Sequence, residues 1–243
     1  VQGPRGQRWI CLTFDGGSNA EATDEVLEIL RTRKLRTTIF LTGAFIRRYP
    51  EKVLRMVADG HEVGNHTWSH PHLAPGGQRD PQWTQARFQA ELLAADAAFQ
   101  RLTGRPMAPL WRAPYGEHTP ELRRWAEAIG YRHVHWSEGA DTLDWATPQQ
   151  RTLYRNGTAI LKRLKERMNR PDGDGLIVLM HLGSERNEED RPTRGLGSFL
   201  DDCIRAGWRL VPASAYLEAL GHPAWDPQRR IPLLDAGAAE ARK

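Results

Sequence analysis

His66 and His70 stand four residues apart in Gly64-Asn65-His66-Thr67-Trp68-Ser69-His70-Pro71-His72, a spacing that lets two imidazoles project from one side of a helical turn and share one divalent ion. Pro71 biases His70 out of a continuing helix. Nitrogen donors of this kind suit zinc, and cobalt or another late first-row ion fits the same set. Asp15 follows an apolar run and precedes Gly16 and Gly17; its carboxylate can accept a proton from water or ligate an ion, and the glycines let backbone approach a ligand closely. Arg112, in Trp111-Arg112-Ala113-Pro114-Tyr115, carries a rigid fork of donors able to clamp a carboxylate, and the Tyr115 backbone N–H can serve a developing oxyanion. His181 ends the apolar run 176–180 and can protonate a departing amine if an acidic neighbour, with Asp144 the candidate, sets its charge. Each residue also has a plain reading: a hydrogen-bonding histidine pair, a strand-end cap at Asp15, a structural ion pair at Arg112, a loop histidine at 181.

These side chains share one address. Strand-like runs at 9–14, 37–41, 61–65, 110–112, 131–137, 175–180 and 208–212 alternate with helical patterns at 22–33, 46–57, 81–102, 119–129, 148–168, 195–206 and 214–220. Such alternation predicts a parallel sheet covered by helices, and six or seven units predict an α/β barrel, closed or partly open. Asp15, His66, His70, Arg112, Asp144 and His181 all follow the end of an expected strand, where loops of such folds build active sites.

With 243 residues, one substantial core in one domain is expected: residues 1–222, followed at 223–243 by a peripheral strap and tail containing Pro223, Pro227 and Pro232. Charged residues make up 26% and hydrophobic ones 40%, which excludes a disordered or membrane-embedded chain. The formal net charge of +4 comes from 34 basic against 30 acidic residues; attraction to an acidic cell wall fits it, whereas no basic run interleaved with aromatics argues for nucleic acid. No stretch has the length of a membrane span, and Val1-Gln2-Gly3-Pro4 has no charged-then-apolar targeting pattern. Cys11 and Cys203 read as buried free thiols. Trp68, Trp111, Trp136 and Trp145 offer flat surfaces for stacking on sugar rings, and the charge-dense 184–194 segment reads as a solvated loop. Oligomeric state is not encoded in any of these patterns.

Taken in order, these segments resemble the polysaccharide deacetylases, the NodB-homology or carbohydrate esterase family 4 enzymes, across residues 9–220. Thr13-Phe14-Asp15-Gly16-Gly17 looks like the motif Thr-Phe-Asp-Asp-Gly, His66-Thr67-Trp68-Ser69-His70 like His-x-x-x-His, Arg112-Ala113-Pro114-Tyr115 like the third motif, Asp141-Thr142-Leu143-Asp144-Trp145 like Asp-x-x-Asp-Trp, and Leu179-Met180-His181 like the fifth. The resemblance implies a distorted (β/α) barrel, a divalent metal, hydrolysis of N-acetyl groups on a glycan such as chitin-type oligosaccharide or peptidoglycan, or of O-acetyl groups as on xylan, and a secreted or envelope location. It implies Asp15 as general base, His66 and His70 as metal ligands, Tyr115 at the oxyanion, His181 as general acid, and Arg112 and Asp144 tuning these groups. Gly16 departs from the pattern where a second aspartate would hold the metal. Asp15 itself, or His72 or Asp141, is then expected to complete the site; a glycan binder without catalysis and a small amide or cyclic-imide hydrolase are the alternatives.

Overall fold

The computed structural model describes residues 3–221; the expected strap and tail at 223–243 lie outside the described residues. Seven strands, β1 (Trp9–Gly16), β2 (Thr38–Leu41), β3 (Glu62–Asn65), β4 (Leu110–Trp111), β5 (Arg132–His133), β6 (Leu176–His181) and β7 (Arg209–Leu210), alternate with eight α-helices. The helices are α1 (Thr23–Thr32), α2 (Gly43–Arg48), α3 (Pro50–Ala58), α4 (Gln85–Thr103), α5 (Pro120–Glu127), α6 (Gly157–Met168), α7 (Thr193–Arg205) and α8 (Ala213–Ala219). All strand pairings are parallel, in the order β5-β4-β3-β2-β1-β6, with β7 pairing the first residues of β1.

The sheet curls without closing by strand pairing. Between its two edges, the irregular segment 137–142 hydrogen-bonds to β6: Ser137 N–H to Ile177 O (2.9 Å), Leu179 N–H to Ala140 O (3.0 Å) and Thr142 N–H to Leu179 O (3.2 Å). This is why β5 is two residues long where seven were expected: after a last bond from Val134 N–H to Trp111 O (2.9 Å), the chain leaves β4 to cross the gap.

Alternation along β1 sorts side chains between two cores. Ile10, Leu12 and Phe14 join the layer under α1, α2, α3 and α7. Cys11 faces inward with Phe40, Leu110 and Ile177, and Tyr216 and Leu217 of α8 complete this inner cluster. Further along the same inner face come Thr13 and then Asp15, so polarity rises toward the strands' C-terminal ends. Cys11 and Cys203 are buried and free.

Two expected helices are shorter or divided. The pattern through Ile46 and Val57 breaks at Tyr49 (φ −130°, ψ 55°), because Pro50 pushes its predecessor out of the α region and itself opens α3 without needing an N–H partner. The helix expected from 148 begins at Gly157, capped by the Asn156 side chain, which accepts from Ala159 N–H; turns occupy the preceding residues.

Candidate active site

β1 delivers Asp15 to the mouth of the curled sheet, where it is only 4% exposed. Arg112, just past β4 and fully buried, donates from Nη1 to Asp15 Oδ1 (2.8 Å) and Thr13 Oγ1 (2.8 Å), and from Nε to Val134 O (3.1 Å). It therefore grips Asp15 through one nitrogen instead of the expected two-pronged fork. Its guanidinium lies over the Phe40 ring at 4.3 Å, the kind of contact that offsets lost hydration. Burial pushes the Asp15 carboxyl up, but Arg112, His66 and His181 together outweigh it and hold the group below the ordinary carboxylate value.

The two motif histidines sit on an irregular turn rather than the expected helical one. Thr67 (φ 67°) and His70 (φ 57°) both occupy the left-handed region, which costs about 1–2 kcal/mol per residue and must be held by neighbours. Asn65 Oδ1 accepts from Thr67 N–H (2.9 Å), and Thr67 Oγ1 accepts from His70 N–H (3.2 Å). Glu91 of α4 accepts from Trp68 N–H (2.9 Å), Ser69 N–H (2.8 Å) and Ser69 Oγ (3.1 Å). Glu91 has no motif of its own; no periodicity links it to a loop more than twenty positions away in the chain.

His66 Nδ1 lies 2.9 Å from Arg112 O. A carbonyl only accepts, so Nδ1 carries the proton and Nε2, 3.6 Å from Asp15 Oδ2, keeps its lone pair. Burial lowers the basicity of His66, and burial followed by the His66 charge drops His70 to about 3. The two rings meet edge to face at 4.9 Å. Two neutral imidazoles beside one carboxylate fit a late first-row divalent ion. The donors of Asp15, His66 and His70 do not all lie within 4.8 Å of one another, unlike those of another histidine group, so side-chain movement would accompany binding.

Position 16, where the second carboxylate is missing, is closely packed. A Cβ there would stand 2.6 Å from Leu41 Cδ2, 3.2 Å from Phe45 Cδ2 and 3.3 Å from Leu182 Cδ1. Gly16 thus faces the apolar helix layer, on the opposite side of β1 from Asp15. Of the other candidate ligands, His72 is engaged elsewhere: its Nδ1 lies 2.8 Å from Glu117 Oε1 and its ring stacks on Tyr115 at 3.9 Å. Asp141 accepts from Leu143 N–H (2.9 Å), and burial raises its carboxyl.

At the end of β6, His181 is clasped by Asp144, whose Oδ1 lies 2.7 Å from Nδ1 and whose Oδ2 accepts the His181 N–H at 2.8 Å. Leu143 (φ 53°) forms the bend that turns Asp144 inward. Burial alone would lower the imidazole, but the charge and hydrogen bond of Asp144, then Asp15 and Asp141, raise it to about 9. A cleft of about 810 Å³ gathers Asp15, His66, His70, Tyr115, Asp141 and His181 with Trp136 and Trp145. Tyr115 and Trp145 are 55% and 40% exposed there. Trp111 is fully buried and Trp68 packs against Gly43, whose Cβ would lie 1.9 Å away, so these two are structural. Nor is 184–194 simply a solvated loop. Arg186 is buried and donates to Arg155 O (2.6 Å) and Leu143 O (3.3 Å), tying the segment to the Asp144 bend.

Residues 2–134 match the family model described as polysaccharide deacetylase. A chitooligosaccharide deacetylase of Bradyrhizobium sp. (strain ANU 289) is 34% identical over 208 residues, 86% of this chain and 85% of that protein. A peptidoglycan-N-acetylglucosamine deacetylase of Bacillus cereus is 28% identical over 88% of this chain and 90% of its own length. Among solved structures, the peptidoglycan deacetylase PdaC from Bacillus subtilis superimposes with a TM-score of 0.68 at 26% identity, covering 95% of this chain and 97% of that one. The ordered motifs, the curled parallel sheet that carries them to one cleft and this near full-length similarity agree: the chain belongs to the polysaccharide deacetylase family, the NodB-homology group of carbohydrate esterase family 4.

Proposed function

We infer that this carbohydrate deacetylase hydrolyses the N-acetyl group of a glucosamine-containing glycan, of the chitooligosaccharide or peptidoglycan type named for its relatives. The observation that carries the reading is the convergence of an Arg112-held Asp15, a His66/His70 pair and an Asp144-held His181 in one cleft bordered by Trp136 and Trp145.

Asp15, His66 and His70 would hold one divalent ion, zinc by preference for this donor set, and such an ion when bound supplies a Lewis acid that polarises a carbonyl and lowers the pKa of water. Arg112 keeps Asp15 ionised, so the carboxylate serves both as ligand and as acceptor of the proton lost by the attacking water. The water oxygen bonds to the acetyl carbon, and the Tyr115 N–H is the proposed donor to the oxyanion that develops. His181, protonated up to about 9, passes its proton to the sugar nitrogen as the C–N bond breaks. Acetate and a free amine leave. Trp136 and Trp145 offer faces on which sugar rings stack.

Among the described residues no helix is long and apolar enough to cross a membrane. A secreted or envelope setting belongs to the proposal because peptidoglycan lies there, and the net charge of +4 suits an anionic wall. Acetate release from N-acetylglucosamine oligomers and peptidoglycan fragments tests the reading. Release with one new amine per acetate is expected; no release from any N-acetylated glycan by zinc-supplied protein would overturn it.

A further inference from the structure

Three histidines outside the cleft make a second donor cluster. His118 lies in the connection between the Pro114–Gly116 turn and α5, His133 is the last residue of β5, and His135 follows two positions on, on the same face of extended chain. Ring centroids are 4.3 Å apart for His118 and His133, 5.0 Å for His118 and His135, and 5.9 Å for His133 and His135. One donor atom from each lies within 4.8 Å of the other two. None of the three lines the cleft.

Their ring nitrogens are poorly served by protein partners. His118 Nδ1, His133 Nε2 and His135 Nδ1 are all buried without a hydrogen-bond partner. Burial lowers the basicity of all three, and each ring's neighbours reinforce it: His118 with His135 act on His133, and His118 acts on His135. Mutual protonation is therefore disfavoured, leaving three neutral imidazoles with lone pairs to share. Zn–N bonds of about 2.0–2.1 Å place tetrahedral donors roughly 3.4 Å apart, so at most about 1.4 Å of closure is needed, within the reach of side-chain rotation.

We propose that His118, His133 and His135 bind a second late first-row divalent ion, with water available as a fourth ligand. The chemistry selects the ion. Arg112 and Arg123 act on His133, and at His135 Asp15 opposes Arg112 only in part, so there is no nearby excess of negative charge to attract a hard cation. Binding must come from imidazole coordination, which favours zinc, nickel or copper and disfavours magnesium or calcium. The ion would pin the loop after the Tyr115 turn to the end of β5. That turn already packs against the segment just past the strand: a Cβ at Gly116 (φ 69°) would stand 2.6 Å from Trp136 and 3.0 Å from His135. The site is thus a clip behind the cleft wall, separate from the ion proposed at Asp15, His66 and His70.

The test uses tag-free protein carrying His66→Ala and His70→Ala, which silences the cleft site. After equilibrium dialysis against zinc, elemental analysis should find one equivalent, abolished by further His118→Ala or His135→Ala, with magnesium giving none. Both added substitutions fall on irregular backbone, and far-UV circular dichroism checks the fold. A measurement that needs no further substitution runs in parallel: zinc added to the double variant should shift the imidazole resonances of His118, His133 and His135 together. No zinc in the double variant, undiminished zinc in the folded triple variants, or unmoved resonances would overturn the proposal.

Discussion

Gly16 and Asp144 are the residues at which the chemistry of the cleft is most open to challenge. If an aspartate at 16 were simply missing from an otherwise prepared metal site, restoring it would tighten metal binding. The packing argues the reverse, since the new side chain would meet Leu41, Phe45 and Leu182. Gly16→Asp is predicted to destabilise the fold by about 1–3 kcal/mol from overpacking alone, read as a lower unfolding midpoint, with no gain in zinc affinity by equilibrium dialysis. Asp144→Asn removes the largest influence raising His181 from 6.5 to about 9, leaving burial opposed only by the weaker pull of Asp15 and Asp141. The alkaline limb of the rate profile should move down from about 9, and turnover at neutral pH should fall by roughly 10²–10⁴-fold, the usual worth of a general acid. Linkage has the same sign: a raised histidine stabilises fully below its unfolded value, so the stability difference between parent and variant should be complete below 6.5 and vanish as pH rises through about 9. The candidate side chains that the cleft brings together were legible in the sequence because motif residues announce their own types. Their partners were less so: Asn65 and Thr67 could be read only once Thr67 and His70 were seen in the left-handed region.

At the scale of elements, the His66–His70 turn depends on α4. Glu91 accepts from two backbone N–H groups and the Ser69 hydroxyl, and these bonds offset the strain at Thr67 and His70. Glu91→Ala should leave α4 formed, since alanine is the best helix former, yet weaken zinc binding in the cleft by about 10–100-fold, the typical effect of losing a group that orients metal ligands. Zinc titration of the variant reads this, and an unchanged affinity would show the turn to be held without α4. The same scale shows why boundaries were harder to read than elements. Apolar periodicity runs through Ile46 and Val57 without a pause, but the Tyr49-Pro50 peptide overrides it and makes two helices. The stretch from 148 has helical spacing, yet Asn156 satisfies the first turn of α6 and so sets its start. β5 ends early for a tertiary reason, the crossing of 137–142 to β6, which no local pattern encodes.

For the whole molecule, repeated strand and helix in alternation were enough to anticipate a parallel sheet with the candidate site residues at its strands' C-terminal ends. What alternation could not supply was the way the sheet is completed. An irregular segment fills the gap between β5 and β6, and because Asp141 to Asp144 continue directly from that segment, completing the sheet and clasping His181 are one structural event. The cleft of about 810 Å³ opens at this seam, bordered by Trp136 and Trp145. The account therefore stands or falls on whether the groups gathered at the seam act together on an acetylated sugar. The most direct measurement is acetate released from an N-acetylated chito-oligosaccharide by zinc-supplied parent and by the His66→Ala/His70→Ala variant, each confirmed to be folded. The account predicts acetate with matching free amine from the parent and only background from the variant; equal release from both, or none from the parent, would contradict it.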